Sequence, residues 1–178
     1  MLARHIHCPI TTSAGRLFDA AASVLGLAQV TRFEGQAAMA LEFAADPACR
    51  ESYPATLEES EGPILADWSG ILERLIYDQT SGIRTRILSA RFHNTLVEII
   101  VGMAERIRIP AVVLTGGCFQ NKLLLERSVV RLREAGFRPY WHQRVPTNDG
   151  GITLGQVVAA WQQMETIKEE THVPGRTW

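Results

Sequence analysis

A chain of 178 residues is long enough to bury a real core and short enough to read as one domain. Its residues are 46% hydrophobic and 21% charged, a globular composition, and a net charge of −1 leaves no basic footprint for nucleic acid or an anionic membrane surface. Cys8, Cys49 and Cys118 lie at long spacings with no CxxC pair, which argues against a disulfide framework or zinc knuckle and for reduced thiols. The start MLARHIHCPITTS has no signal-like apolar run, and no stretch approaches the roughly 20 apolar residues of a bilayer span. The expectation is a cytoplasmic protein with neither a membrane nor a nucleic-acid partner.

Residues 1–10 read as irregular. Thr11, Thr12 and Ser13 are N-cap candidates for a helix over AGRLFDAAASVLGL, striped at Leu17, Ala21, Val24 and Leu25 and ending near Gly26. A second helix covers GQAAMALEFAA and stops at Asp46-Pro47. Two short strands, 53–57 and 63–66, are expected around the acidic turn EESEG. Asp67 then caps a helix carrying Trp68, Ile71, Leu72, Leu75 and Ile76. The longest helical stripe runs from Ile83 to Ile107, and Pro110 closes it. Ala111 to Leu114 reads as a buried parallel strand. A helix over NKLLLERSVVRLREAG follows, then a strand at 138–142, and a last helix over GITLGQVVAAWQQM. From about Ile167 the chain reads as a polar, frayed tail. Helix, strand, helix, strand, helix is α/β order with parallel strands.

Two glycine pairs carry the chemistry: Gly116-Gly117 in VVLTGGCFQN and Gly150-Gly151 in PTNDGGITLGQ. Both follow strands, where open α/β sheets bind ligands, and glycine lets backbone N–H groups approach a phosphate. Asn121 could contact a nucleotide or simply cap its helix. No Lys-Ser/Thr follows, so this is not a P-loop. Asp149 or Asn148 in NDGG could hold a hard cation or form an ordinary turn. Arg16 and Asp19 share a helix face and could pair, or Asp19 could reach a ribose. Gly35 in FEGQAAM offers another backbone approach. His5 and His7 beside Cys8 resemble a metal site only superficially. His93 reads as a satisfied structural histidine, His142 as a possible cleft residue, and Trp68, Trp141 and Trp161 as core or edge packing.

Read together and in order, TSAGRLFDAAASVLGL, FEGQAAMALE, ARFHNTL, LTGGCFQNKLLLE and VPTNDGGITLGQ closely resemble the C-terminal part of the HypF family, carbamoyltransferases of NiFe-hydrogenase maturation. The match covers roughly residues 9–163. It makes 11–166 the folded lobe, with 1–10 an irregular segment and 167–178 the tail. More distantly the motifs resemble the TsaD family of tRNA threonylcarbamoyl transferases. The resemblance implies one lobe of an actin-like ATPase (RNase H-like) fold, an α/β lobe with a mixed sheet and flanking helices. It implies ATP and carbamoyl adenylate, made from carbamoyl phosphate, as the chemistry. A HypE-type protein, accepting the carbamoyl group on its C-terminal cysteine, is the implied partner. By similarity, Asp19 contacts ribose, Gly35 lies against the nucleotide, Gly116 and Gly117 face phosphates, Asn121 contacts the nucleotide, and Asp149, rather than Asn148, ligates a divalent metal.

The acylphosphatase-like, zinc-finger and YrdC-like regions of that family have no counterpart here, nor does the HHxAH histidine motif of the first lobe. The isolated chain is therefore expected to bind ATP weakly and to transfer nothing, with a separate chain as a possible source of the missing lobe. The competing expectations are a TsaD-like enzyme and a non-catalytic nucleotide-binding or interaction module. The latter would expose an apolar patch where the absent lobe packs.

Overall fold

The computed structural model describes residues 11–58 and 62–171. The readings of His5, His7, Cys8 and the rest of 1–10, the middle of the acidic turn, and the tail beyond 171 lie outside the described residues.

Helices α1 (Ala14–Val24) and α2 (Gln36–Ala44) are followed by strands β1 (Thr56–Glu58) and β2 (Leu65–Asp67), which pair antiparallel. Then come α3 (Ser69–Thr80), α4 (Thr85–Ile107), strand β3 (Ala111–Leu114), a 3-10 turn (Gly117–Gln120), α5 (Lys122–Glu134), strand β4 (Arg138–Trp141), a second 3-10 turn (Asp149–Gly151) and α6 (Ile152–Thr171). The α/β order holds, with both strand directions present but divided between two small sheets. β3 and β4 pair parallel, with Leu114 opposite Trp141.

The local signals explain most boundaries. α1 closes in a paired C-terminal turn in which Leu27 N–H donates to Ala22 O (2.9 Å) and Gly26 N–H to Ser23 O (3.0 Å). Gly136 closes α5 in the same way, with Phe137 N–H on Leu132 O at 2.9 Å. Asp67 Oδ1 accepts from Ser69 N–H at 2.9 Å, and that bond holds its carboxyl below the usual range. α6 runs seven residues past the end expected at Met164, because ETIKEET contains good helix formers.

The core lies between α1, α2, α3 and α4, with α5 on its other flank. Phe18, Leu41, Ile71, Leu75, Leu88 and Phe92 are fully buried there, and Phe18 meets Phe92 edge-on at 5.2 Å between centroids. α4 is also the polar spine. Its Arg91 pairs with Asp78 of α3 at 2.7 Å and with Glu51. Asn94 Nδ2 donates to Glu51 O (2.7 Å), and Thr95 Oγ1 accepts from Tyr53 N–H (2.8 Å). Tyr53 itself is buried beside Asp78, and burial pushes its hydroxyl up to about 12.

Two expectations of burial need correction. β3 is not buried on both faces: Leu114 packs on Val101, Ala104, Val129 and Leu132, but Val113 is 66% exposed. A two-stranded sheet has one face on α4 and α5, and no second layer covers the other among the described residues. Trp161 does not pack either. It is 58% exposed on α6, beside exposed Leu154, Val157 and Met164.

Candidate functional site

The two glycine corners meet. Gly116 N–H donates to Thr147 O at 2.9 Å, and Thr147 Oγ1 donates back to Gly116 O at 3.1 Å. One residue earlier, Thr115 Oγ1 lies 2.9 Å from His142 Nε2, tying the end of β3 to the end of β4. Parallel pairing of β3 with β4 is what brings segments 31 residues apart to one edge.

The glycines at these corners have different reasons to be glycine. Gly116 has φ 103° and ψ 160°, a region open to glycine alone. A Cβ on Gly151 would stand 2.6 Å from Pro146 O, and one on Gly150 would stand 3.1 Å from Asn148 Oδ1. Gly117 differs from all three. Its φ is not positive, and nothing lies within 4 Å of the place a Cβ would occupy. Among the described residues, no acceptor is found for the Gly117 N–H.

The amide side chains beside the corners are used locally. Asn121 is 7% exposed and caps α5, its Oδ1 accepting from Leu124 N–H at 2.8 Å, while its Nδ2 donates to His93 Nε2 at 2.9 Å. Asn148 Oδ1 accepts from Gly150 N–H at 3.1 Å, so Asn148 is a turn residue. Glu42 of α2, 80 residues away in sequence, accepts from Lys122 N–H at 2.8 Å and Leu123 N–H at 3.2 Å. The first three N–H groups of α5 are therefore satisfied within the protein. No local pattern signalled Glu42, because only the docking of α2 on the start of α5 makes it a cap.

His93 is the structural histidine expected. It is fully buried, and Nδ1 lies 2.8 Å from Ser89 O. Burial holds its pKa down to about 4, the Ser89 carbonyl opposing and the Arg127 charge adding to the shift. The ring is neutral at pH 7. Burial also raises the Cys118 thiol, so at this corner it is a thiol rather than a nucleophilic thiolate.

Asp19 and Gly35 face a common cleft of about 480 Å³, lined also by Arg16, Arg32, Phe33 and Glu34. Arg16 Nη1 pairs with Asp19 Oδ2 at 2.9 Å on an exposed face, so the local pairing foreseen is present. Gly35 precedes α2 with φ 80°. α1, which carries Asp19, is in contact with the Gly117–Gln120 turn, and Cys118 and Phe119 pack on the cluster that holds Phe18. Asp149 is exposed in its turn, a single carboxylate. The described residues contain no group of three His, Cys, Asp or Glu side chains placed to hold a metal ion, so these donors alone do not fit one.

Over residues 1–156 the chain matches the family described as carbamoyltransferase, Kae1-like domain, second subdomain. It is 41% identical over 160 residues to the carbamoyltransferase HypF of Synechocystis, covering 89% of this chain and 21% of that protein. It is 35% identical to a HypF homolog of Cupriavidus necator, covering 97% of this chain and 46% of the homolog. A crystal structure of full-length HypF in a phosphate- and nucleotide-bound form superposes with a TM-score of 0.81 at 40% identity, over 86% of this chain and 21% of that one. T. kodakarensis HypF superposes with a TM-score of 0.74 at 25% identity. The chain thus spans about a fifth of the Synechocystis relative and under half of the Cupriavidus one.

Proposed function

The chain belongs to the HypF carbamoyltransferase family, as the second subdomain of its Kae1-like domain, and from that premise we propose that it forms one wall of an adenine-nucleotide site at which a carbamoyl group is transferred. Gly117 carries this reading. Its backbone strain, neighbours and hydrogen bonds give no internal reason for glycine, yet it sits with an open N–H on the edge where both corners meet. A phosphate lying against that backbone supplies the reason.

The nucleotide-bound form of the full-length relative supports the same reading. On this proposal, the Gly117 N–H faces the phosphate of a carbamoyl adenylate and Asp19 contacts the ribose across the cleft shared with Gly35. The Gly116 N–H serves the corner rather than the ligand, because Thr147 already accepts it. A thiolate on the C-terminal cysteine of a HypE-type acceptor attacks the carbamoyl carbon. The new C–S bond forms as the bond to the phosphate oxygen breaks, and AMP leaves carrying the negative charge. Oriented N–H groups stabilise that charge without reorganising. Asp149 contributes one metal ligand at most.

One wall leaves the nucleotide wet and its electrostatic contacts weak. The remaining walls and the acceptor site come from other parts of the longer protein or from a companion chain. The apolar surface of Leu154, Val157, Trp161 and Met164 on α6 supports such a partner contact.

Calorimetric titration with ATP tests the reading. We expect weak binding by the chain, lowered about tenfold by Asp19→Ala or Gly117→Ala and unchanged by Arg74→Ala in the separate cleft beside Asp78 and Arg91. No binding at millimolar ATP, or binding indifferent to both site substitutions, overturns it.

A further inference from the structure

We propose that His93 is a positioning residue for the nucleotide site: its hydrogen bond to Asn121 fixes which end of that amide is offered to the ligand. The proposal rests on the nucleotide reading above and adds to it a specific chemistry at Asn121.

The chain of bonds starts in the core. Ser89 O is an acceptor only, so the ring nitrogen 2.8 Å from it, Nδ1, must carry the proton. A neutral imidazole then has a bare Nε2, which can only accept. The Asn121 atom 2.9 Å from Nε2 must therefore be the NH₂ end of the amide. That places Oδ1 against Leu124 N–H, at 2.8 Å, as the cap of α5. The amide cannot turn over without setting donor against donor at Leu124 and acceptor against acceptor at His93. One proton of Nδ2 is spent on His93, and the second is the one a ligand at the adjoining Gly117–Gln120 turn would take. The ring is itself locked, since it meets Phe18 at 5.5 Å and Phe92 at 5.9 Å, both near edge-on. A core histidine in a set tautomer thus makes Asn121 a hydrogen-bond donor toward an oxygen-rich ligand, a phosphate or ribose hydroxyl.

Three measurements on the 178-residue chain test it. Nitrogen-15 NMR of the imidazole at pH 7 should show Nδ1 protonated and Nε2 bare, and the opposite tautomer or an imidazolium overturns the proposal whether or not nucleotide binds. ATP titration comes second. His93→Leu, which has no acceptor for Asn121, should lower affinity about tenfold, while His93→Gln, whose Oε1 can accept from Nδ2, should recover to within about threefold of wild type. Thermal melting is followed in parallel: a role in packing alone lowers Tm in both variants and leaves affinity unchanged, which overturns the proposal while the nucleotide reading stands. Asn121→Asp, equal in shape but without the N–H, is the third arm and should lose binding as His93→Leu does, even if the latter folds poorly. Wild-type chain that binds no ATP removes both the reading and the proposal.

Discussion

The Gly116–Asn121 corner and the Asn148–Gly151 corner have nearly the same composition, an asparagine beside two glycines, and touch through Thr147. They are nevertheless different structures. The first is rooted in the core, because Asn121 is buried and bonded to a fully buried histidine. The second is a surface turn, exposed at Asn148, Asp149 and Gly150, whose tie to the sheet edge is the Thr147 contact with Gly116. The glycines reverse the pattern. Those of the second corner are explained by close neighbours, Pro146 O and Asn148 Oδ1, whereas Gly117 of the first is not. Similar letters thus mark a packing requirement in one place and an open approach in the other.

The largest expected difference concerns the core behind the first corner. His93 titrates at about 4 in the folded chain and at about 6.5 when unfolded, so the unfolded chain takes the proton first. Its contribution to stability is complete above pH ~6.5 and is lost as pH falls toward 4, on the order of 3 kcal/mol. Denaturant melts from pH 7 to 4 should therefore fall more steeply for wild type than for His93→Gln; parallel curves would contradict the burial described.

The two asparagines come next. Asn121→Ala removes a cap and strips His93 of its donor, costing about 2–3 kcal/mol. Asn148→Ala, its counterpart in an exposed turn, should cost about 0.5 kcal/mol or less, near the low end for a local cap. Equal losses in urea titrations would erase the distinction between the corners. Among the glycines, Gly116→Ala forces a side chain into φ 103° and should cost about 1–3 kcal/mol. Gly151→Ala, with its 2.6 Å clash, should cost about 1–2 kcal/mol, softened because the turn lies at the surface. Gly117→Ala should change the melting midpoint least, within about 0.5 kcal/mol, and act on nucleotide affinity alone.

Much of this was legible in the residues. Apolar stripes located α1 and α4, the run GQAAMALEFAA before Asp46-Pro47 located α2, the glycines at 26 and 136 marked helix ends, and parallel pairing of β3 with β4 followed from helix–strand order. His93 was readable as structural because a histidine within a mid-helix apolar stripe must find partners inside. What could not be read was long-range. Glu42 capping α5 depends on α2 docking there, and the bond from His93 to Asn121 spans 28 residues and two elements. Exposure of Val113 and Trp161 was missed for a related reason. An apolar run reveals that a surface prefers cover, not what provides it.

Amide chemical-shift mapping during an ATP titration of the chain tests the account most directly. It predicts that Gly117, Cys118 and Gly35 shift together and saturate with one dissociation constant, while Arg74, Asp78 and Arg91 in the other cleft stay still. Shifts confined to the second cleft, or scattered without saturation, would contradict it.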